Sequence, residues 1–249
     1  MPTFSDLIHY QKKFFPEART NMPRHDRTQM RIKLGIASLI HNHAAHGKDL
    51  LEVGGNIGWQ TIAYRDQLIQ DGSTATLYDW KDYRSEPVKP EVWFQQVDLE
   101  TQPFPAADAS FDVVVCNQVF EHLKNIFLPI SQIHRVLRPG GFLIFSVPNL
   151  SALHNCVLLN LGHQPTTLAI SSSHVRGFSI WSTTPFLTMS GGFKKIRLDG
   201  YGLHPFYSGR VSGLLKTFCH TPVWLLQKTH PHGPLWLEAR QQTPTTTNF

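Results

Sequence analysis

The sequence has few cysteines, and Cys116, Cys156 and Cys219 lie far apart with no C-x-x-C pair among them. A disulfide framework and a structural thiolate zinc site are thereby excluded, and a reducing compartment, by default the cytoplasm, is expected. No run approaches about 18 consecutive apolar residues, which excludes a membrane-spanning helix. The first fifteen residues carry Asp6, His9, Lys12 and Lys13 and lack an apolar stretch, so no secretory signal is read there. Internal repeats are absent. So is G-x-x-x-x-G-K-[ST], which excludes a phosphate-binding P-loop.

What remains is an ordinary globular composition. Of 249 residues, 41% are apolar and 16% charged, enough for one well-buried core with at most a small lid. The net charge of +5 is unevenly placed: residues 1–48 hold eight basic against three acidic side chains, and the rest of the chain is balanced. Such a segment is usually a solvated helix face, although it can also attract an anionic partner.

Helical spacing of Met30, Leu34, Ala37 and Ile40 predicts a helix over 25–46, preceded by a short helical piece with Phe4, Leu7, Ile8, Phe14 and Phe15. From Asp49 the texture changes. Short apolar runs at 50–53, 74–78, 92–97, 111–116 and 142–147 alternate with amphipathic segments at 57–70 and 126–137. The near-continuous run Phe111 to Cys116 reads as a central strand buried on both faces. This rhythm predicts a doubly wound, Rossmann-like α/β sheet of seven strands, mostly parallel with the last antiparallel, and helices on both faces. Further on, 180–189 reads as a weak helix, and 193–201 and 234–240 as the last strands. The apolar stripe from Leu214 to Leu226 reads as core packing rather than a lipid-facing helix. The expected division is an N-terminal helical cap (1–46), a catalytic domain (47–242) with a substrate-cap insertion (148–190), and a flexible Thr-rich tail (243–249).

In such a sheet a ligand sits beyond the carboxyl ends of the strands, at the topological switch point. Four signals fall there. Glu52-Val53-Gly54-Gly55-Asn56-Ile57-Gly58 turns a strand into a helix through glycines that let a ligand approach the backbone. Its spacing is not G-x-G-x-x-G, which disfavours a nicotinamide dinucleotide. Glu52 is placed to accept from a cationic ligand amine. Asp79, at the next strand end, can accept both hydroxyls of a ribose, and Trp80 can cover an adenine face. Asp98 and Leu99 end the third strand, where Asp98 can read an adenine amino group. Asn117 and Gln118 open onto the same crevice, followed by Glu121 and His122.

With these residues in order, 49–147 resembles the class I S-adenosylmethionine (SAM)-dependent methyltransferases, in particular the type 11 group that includes ubiquinone-biosynthesis O-methyltransferases. The glycine-rich pattern is matched by Leu51 to Gly58, with Asn56 in place of the middle glycine. The acids are matched by Asp79 and Asp98. The late signature is matched by Phe104-Pro105, Phe111 to Val114, Glu121-His122-Leu123 and Arg135 to Gly141. A weaker echo continues in His174 to Ser179 and Gly191-Gly192-Phe193. The resemblance implies SAM as cofactor and displacement at its sulfonium methyl. It also implies a hydroxyl acceptor on a small molecule, lipid precursor or sugar. His174 and His122 are the candidate general bases, with Glu121 behind them. Nucleic-acid bases are disfavoured as acceptors, because Asn117-Gln118-Val119-Phe120 stands where nitrogen-directed enzymes carry an Asn/Asp-Pro-Pro-aromatic motif. No metal site is read: of His41, His43 and His46, only the last two share a helix face, and no acid completes a set. Three rivals stay open: a non-catalytic SAM-binding regulator, an enzyme acting on an anionic macromolecule through the basic N-terminal segment, and a nicotinamide oxidoreductase. The oligomeric state is open too.

Overall fold

The computed structural model describes residues 1–15, 24–203 and 215–229. The first helix, α1 (Phe4–Phe14), begins at a reciprocal cap in which Thr3 Oγ1 accepts from the Asp6 amide and Asp6 Oδ2 from the Thr3 amide. Helix α2 (Arg24–Leu39) follows and runs on into a π-helical turn, Ile40–Ala44. From there strands and helices alternate: β1 (Asp49–Val53), α3 (Trp59–Arg65), β2 (Thr74–Asp79), β3 (Trp93–Gln96), β4 (Phe111–Asn117), α4 (Phe127–Val136) and β5 (Leu137–Ser146). The chain continues through α5 (Leu153–Asn160), α6 (Ile180–Leu187), β6 (Phe193–Tyr201) and β7 (Thr221–Lys228).

The strands form one sheet in the order β3-β2-β1-β4-β5-β7-β6. β1 to β5 pair in parallel, and β7 runs antiparallel to both β5 and β6. The seven-stranded doubly wound expectation therefore holds. Side chains alternate between two cores, as a pleated strand requires. Leu51, Val53, Val114, Cys116, Leu143, Phe145, Trp224 and Leu226 face α4 with Ile130 and Ile133. Leu50, Val113, Val115, Ile144, Val223 and Leu225 face α2 and α3 with Ile32, Ile36 and Ile62.

Two expectations change. The last strand lies at Thr221–Lys228, between β5 and β6, where the sequence reading had only core packing. The stretch 234–240, read as that strand, falls outside the described residues, as does the tail 243–249. A run buried on both faces has no period to distinguish strand from helix, and Pro222 at its start obscured it further. Second, the 148–190 insertion holds a helix that the sequence did not suggest, α5, ahead of the expected one at 180–189. Helix α2 packs against α3, β6 and β7, with Gly35 close against the Tyr201 ring.

The Arg135 to Gly141 part of the late sequence signature proves structural. Arg138 bridges Asp49 at 2.8 Å and Asp112 at 2.6 Å, clamping the amino ends of β1 and β4. Arg135 donates to the carbonyls of Phe104 and Ala106 and pairs with Asp108, holding the loop that enters β4. No helix among the described residues is long and apolar enough to cross a membrane.

Candidate active site

The strand order reverses between β1 and β4, and a crevice of about 560 Å³ opens beyond their carboxyl ends. That is within the usual range for a small-molecule site. Its floor is the β1–α3 turn. Gly54 (φ +71°) and Gly58 (φ +82°) are left-handed, and so is Asn56 (φ +52°), the non-glycine residue type that best tolerates this region. A side chain at Gly54 would strike Val119 Cγ2, 2.4 Å from the Cβ position, so this glycine is needed for space as well as conformation.

Asp79 ties this turn to the end of β2. Its Oδ2 accepts from the Asn56 amide at 3.0 Å and its Oδ1 from the Trp80 amide at 2.8 Å. Burial pushes its pKa above the ordinary carboxylate value, and the two backbone N–H groups oppose that shift. Each oxygen keeps further lone-pair capacity on the crevice side. Trp80, exposed, forms the lip with Tyr83 in an edge contact at 5.6 Å. Asp98 is held ionised: the Thr101 hydroxyl (2.7 Å) and the Glu100 amide (2.9 Å) donate to it and lower its pKa. Leu99 supplies a buried apolar wall.

Gln118 follows β4 with φ +58°, strained for a non-glycine residue, and its amide donates to the Ser146 carbonyl at 2.9 Å. His122 lies on the wall next to Ser173. Burial lowers its pKa and favours the neutral ring.

Of the residues expected in the site, Gly54, Asn56, Asp79, Trp80, Asp98, Leu99, Gln118 and His122 line the crevice. Glu52, Gly55, Gly58, Asn117 and His174 do not. Glu52 is buried beneath the turn, accepting from Gln60 Nε2 at 3.4 Å and from the Thr61 hydroxyl, and burial raises its pKa to about 7. It shapes the loop from behind rather than meeting a ligand amine. Gly55 lets the chain pass over Glu52 and Leu77, and Gly58 starts α3. Asn117 accepts from the Ser146 hydroxyl. His174 stands behind His122, ring centroids 4.8 Å apart. Tyr83, Glu100, Val119, Leu123 and Ser173 also line the crevice and were not anticipated. Among the described lining residues, three carboxylates face no lysine or arginine.

Glu121, His122 and His174 cluster, each offering one ligand-type atom within 4.8 Å of the others. Glu121 is buried, its Oε2 has no hydrogen-bond partner, and burial lifts its pKa to about 8. Sequence spacing gives no hint of this cluster, because His174 is separated from the other two by more than fifty residues.

The family described as methyltransferase domain matches residues 22–182. The chain belongs to the methyltransferase-domain family. A protein of Mycolicibacterium smegmatis named as a probable S-adenosylmethionine-dependent methyltransferase is 37% identical over 111 residues, covering 43% of this chain and 40% of its own length. The ubiquinone biosynthesis O-methyltransferase of Paracidovorax citrulli is 27% identical over 159 residues, 60% of this chain and 61% of that one. The chain thus spans about two-fifths to three-fifths of these curated relatives. Among solved structures, a SAM-dependent methyltransferase from Archaeoglobus fulgidus shares the fold, with a TM-score of 0.59 at 13% identity, over 89% of this chain and 99% of that one.

SAM is the cofactor that this methyltransferase membership brings, and the crevice fits it. A buried carboxylate with spare acceptor capacity suits a ribose diol. A glycine turn without room for a Cβ suits close ligand approach. Three carboxylates without a basic side chain suit a sulfonium cation and oppose the pyrophosphate of a nicotinamide dinucleotide.

Proposed function

We propose that this methyltransferase-domain chain moves the methyl group of SAM to a hydroxyl oxygen of a small molecule, lipid precursor or sugar. The supporting observation is the neutral His122 on the crevice wall. Its Nδ1 lies 3.3 Å from the Ser173 carbonyl, which accepts, and 3.1 Å from the Ser173 hydroxyl, which can accept or donate. In the tautomer that donates from Nδ1 to Ser173, Nε2 keeps the lone pair that a hydroxyl acceptor needs.

When bound, SAM supplies a methyl group on a positively charged sulfur, a built-in leaving group. The chain's own residues do the rest. Asp79 and Asp98 fix the nucleoside end, Trp80 and Leu99 bracket an aromatic base, and the turn at Gly54 to Asn56 lets the backbone come close. His122 Nε2 takes the proton of the acceptor hydroxyl as its oxygen attacks the methyl carbon. His174, behind it, holds the His122 ring edge-on. The 148–190 segment forms the acceptor-side cap, to which Ser173 belongs. The name of the Paracidovorax relative, an O-methyltransferase, also supports an oxygen acceptor. The carboxylate-lined crevice speaks against a polyanionic acceptor, and the three free thiols fit a cytoplasmic setting.

The test is transfer from methyl-labelled SAM into a metabolite extract, resolved by mass. A labelled product carrying O-methyl is expected. His122→Ala should lower turnover by roughly 10²–10⁴ with SAM binding retained, and His174→Ala should lower it less. SAM binding without any labelled product would favour the non-catalytic regulator instead.

A further inference from the structure

Glu121 and His122 sit in the short turn after β4, and His174 sits in the loop leading to α6. The two stretches are joined where the Val175 and Arg176 amides donate to the Glu121 carbonyl at 2.8 and 3.3 Å. Both imidazoles are oriented from behind. His122 Nδ1 faces the Ser173 carbonyl, and His174 Nδ1 lies 2.7 Å from the Thr167 carbonyl. The Thr167 carbonyl only accepts, so His174 donates from Nδ1, and His122 can donate from Nδ1 to either Ser173 oxygen, the hydroxyl lying at 3.1 Å; in that tautomer the Nε2 atoms are the ones left to bind a cation. This is how metal-ligating histidines are held, with the other ring nitrogen donating to a backbone oxygen. Between them lies a buried carboxylate with an unpartnered Oε2, a costly arrangement for a group that serves only packing. Glu121 Oε1 is 4.0 Å from His122 Nε2, too far for a hydrogen bond, so the cluster is not closed on itself.

We propose that Glu121, His122 and His174 bind one divalent transition-metal cation through the Glu121 carboxylate and the two Nε2 atoms. Two imidazoles and one carboxylate suit Zn²⁺, Fe²⁺ or Mn²⁺ and do not suit Mg²⁺ or Ca²⁺, which prefer all-oxygen sets. Bond lengths near 2.0–2.2 Å require donor atoms about 3.0–3.4 Å apart, so the present spacing, up to 4.8 Å, must contract by up to about 1.4–1.8 Å. The exposed His122 ring and the unbonded Glu121 Oε2 can supply that movement. Three protein ligands leave open positions, and His122 places them at the crevice.

The role rests on the hydroxyl-methylation reading. With the cation bound, His122 Nε2 is a ligand and no longer the base: an acceptor hydroxyl oxygen at an open position becomes more acidic and gives its proton to water instead. An oxygen lone pair then forms the bond to the methyl carbon, and the carbon–sulfur pair stays on sulfur as the neutral thioether.

The experiment uses the full chain after chelator treatment, with Co²⁺ titrated by visible absorption, Zn²⁺ and Mg²⁺ by calorimetry, and SAM binding measured in parallel. One equivalent of Co²⁺ or Zn²⁺ should bind, and Mg²⁺ should not compete. Glu121→Gln and His174→Ala should each weaken binding by more than about 100-fold, and SAM affinity should stay as in the parent. His43→Ala and His46→Ala, at the opposite strand ends, should bind the cation like the parent. Glu121→Gln preserves shape, so it decides the matter if His174→Ala lowers the melting temperature. No stoichiometric cation, or binding that survives Glu121→Gln, overturns the site and leaves the methyltransferase reading intact. A cation bound as described, with no methyl transfer, counts against the methylation reading and not against the site.

Discussion

Asp79→Ala removes a carboxylate with two jobs. It holds the Asn56 and Trp80 amides at 3.0 and 2.8 Å, and it fronts the crevice where a ribose would lie. Hydrogen bonds to a charged acceptor contribute about 1.5–3 kcal/mol each. Water admitted to the vacated space restores part of two such bonds, leaving roughly 1.4–2.7 kcal/mol, or a 10- to 100-fold weaker SAM complex. The loop adds its own cost. Asn56 is exposed and its amide can turn to water, so loss of the acceptor should cost the apo protein only about 1 kcal/mol. For a chain of this size that is a melting temperature about 2–4 °C lower. Asp79→Asn keeps one acceptor oxygen but turns its NH₂ toward one of the two amides. It should bind SAM with intermediate affinity and melt no higher than the alanine variant. Calorimetric titration with SAM, alongside thermal unfolding without ligand, measures both. If Asp79→Ala binds SAM like the parent, the ribose assignment is wrong. If its melting temperature falls by tens of degrees, the carboxylate is a fold determinant and the binding loss says nothing about ribose.

Three further outcomes follow from the geometry. Asn56→Gly should keep the melting temperature and SAM affinity, and Asn56→Val should cost on the order of 1–3 kcal/mol, because a β-branched side chain is forced into the left-handed region; equal melting temperatures would contradict the turn. Gly54→Ala should weaken SAM through its collision with Val119, and adding Val119→Ala should restore part of the affinity; additive losses would refute the contact. Burial lifts Glu121 from 4.5 to about 8, so between those values the folded chain holds a proton that the unfolded chain has released, and stability falls as pH rises. The melting temperature of Glu121→Gln minus that of the parent should therefore widen from pH 5 to pH 8 in chelator-treated protein, and a constant difference would show that Glu121 ionises normally.

The sheet was legible because its central strands obey simple burial rules. Val113 to Cys116 is apolar at every position, and a parallel strand covered on both faces must be. The turn at Gly54 to Gly58 was legible because only glycine and asparagine accept its conformation cheaply. Glu52 was misplaced, although strand parity could have placed it. Leu51 and Val53 face the α4 layer, so Glu52 shares a face with Leu50 and points into the α3 layer, where Gln60 and Thr61 meet it. The motif had been read as ligand-facing without asking which way the pleat turns. Glu121, His122 and His174 were each named as candidate bases, but their meeting in one cluster was not legible. It depends on a loop returning from 173–176 to the Glu121 carbonyl, a contact set by backbone hydrogen bonds rather than by side-chain pattern.

Charge placement joins these features into one argument about what the crevice admits. Among the described residues, no basic side chain of residues 1–48 lines it, and Asp79, Asp98 and Glu100 do. Walls of low dielectric strengthen that field inside a cleft. A polyanion attracted by the N-terminal surface would be repelled where methylation must occur, whereas a sulfonium cation is held. The same field acts on the acceptor: an oxygen that had already ionised in bulk water would be opposed on entry. A neutral hydroxyl can enter freely, but it then needs a local means of losing its proton. On the proposed reading that means is supplied by the wall carrying His122, with Glu121 and His174 behind it, beyond the carboxylates proposed to serve the nucleoside.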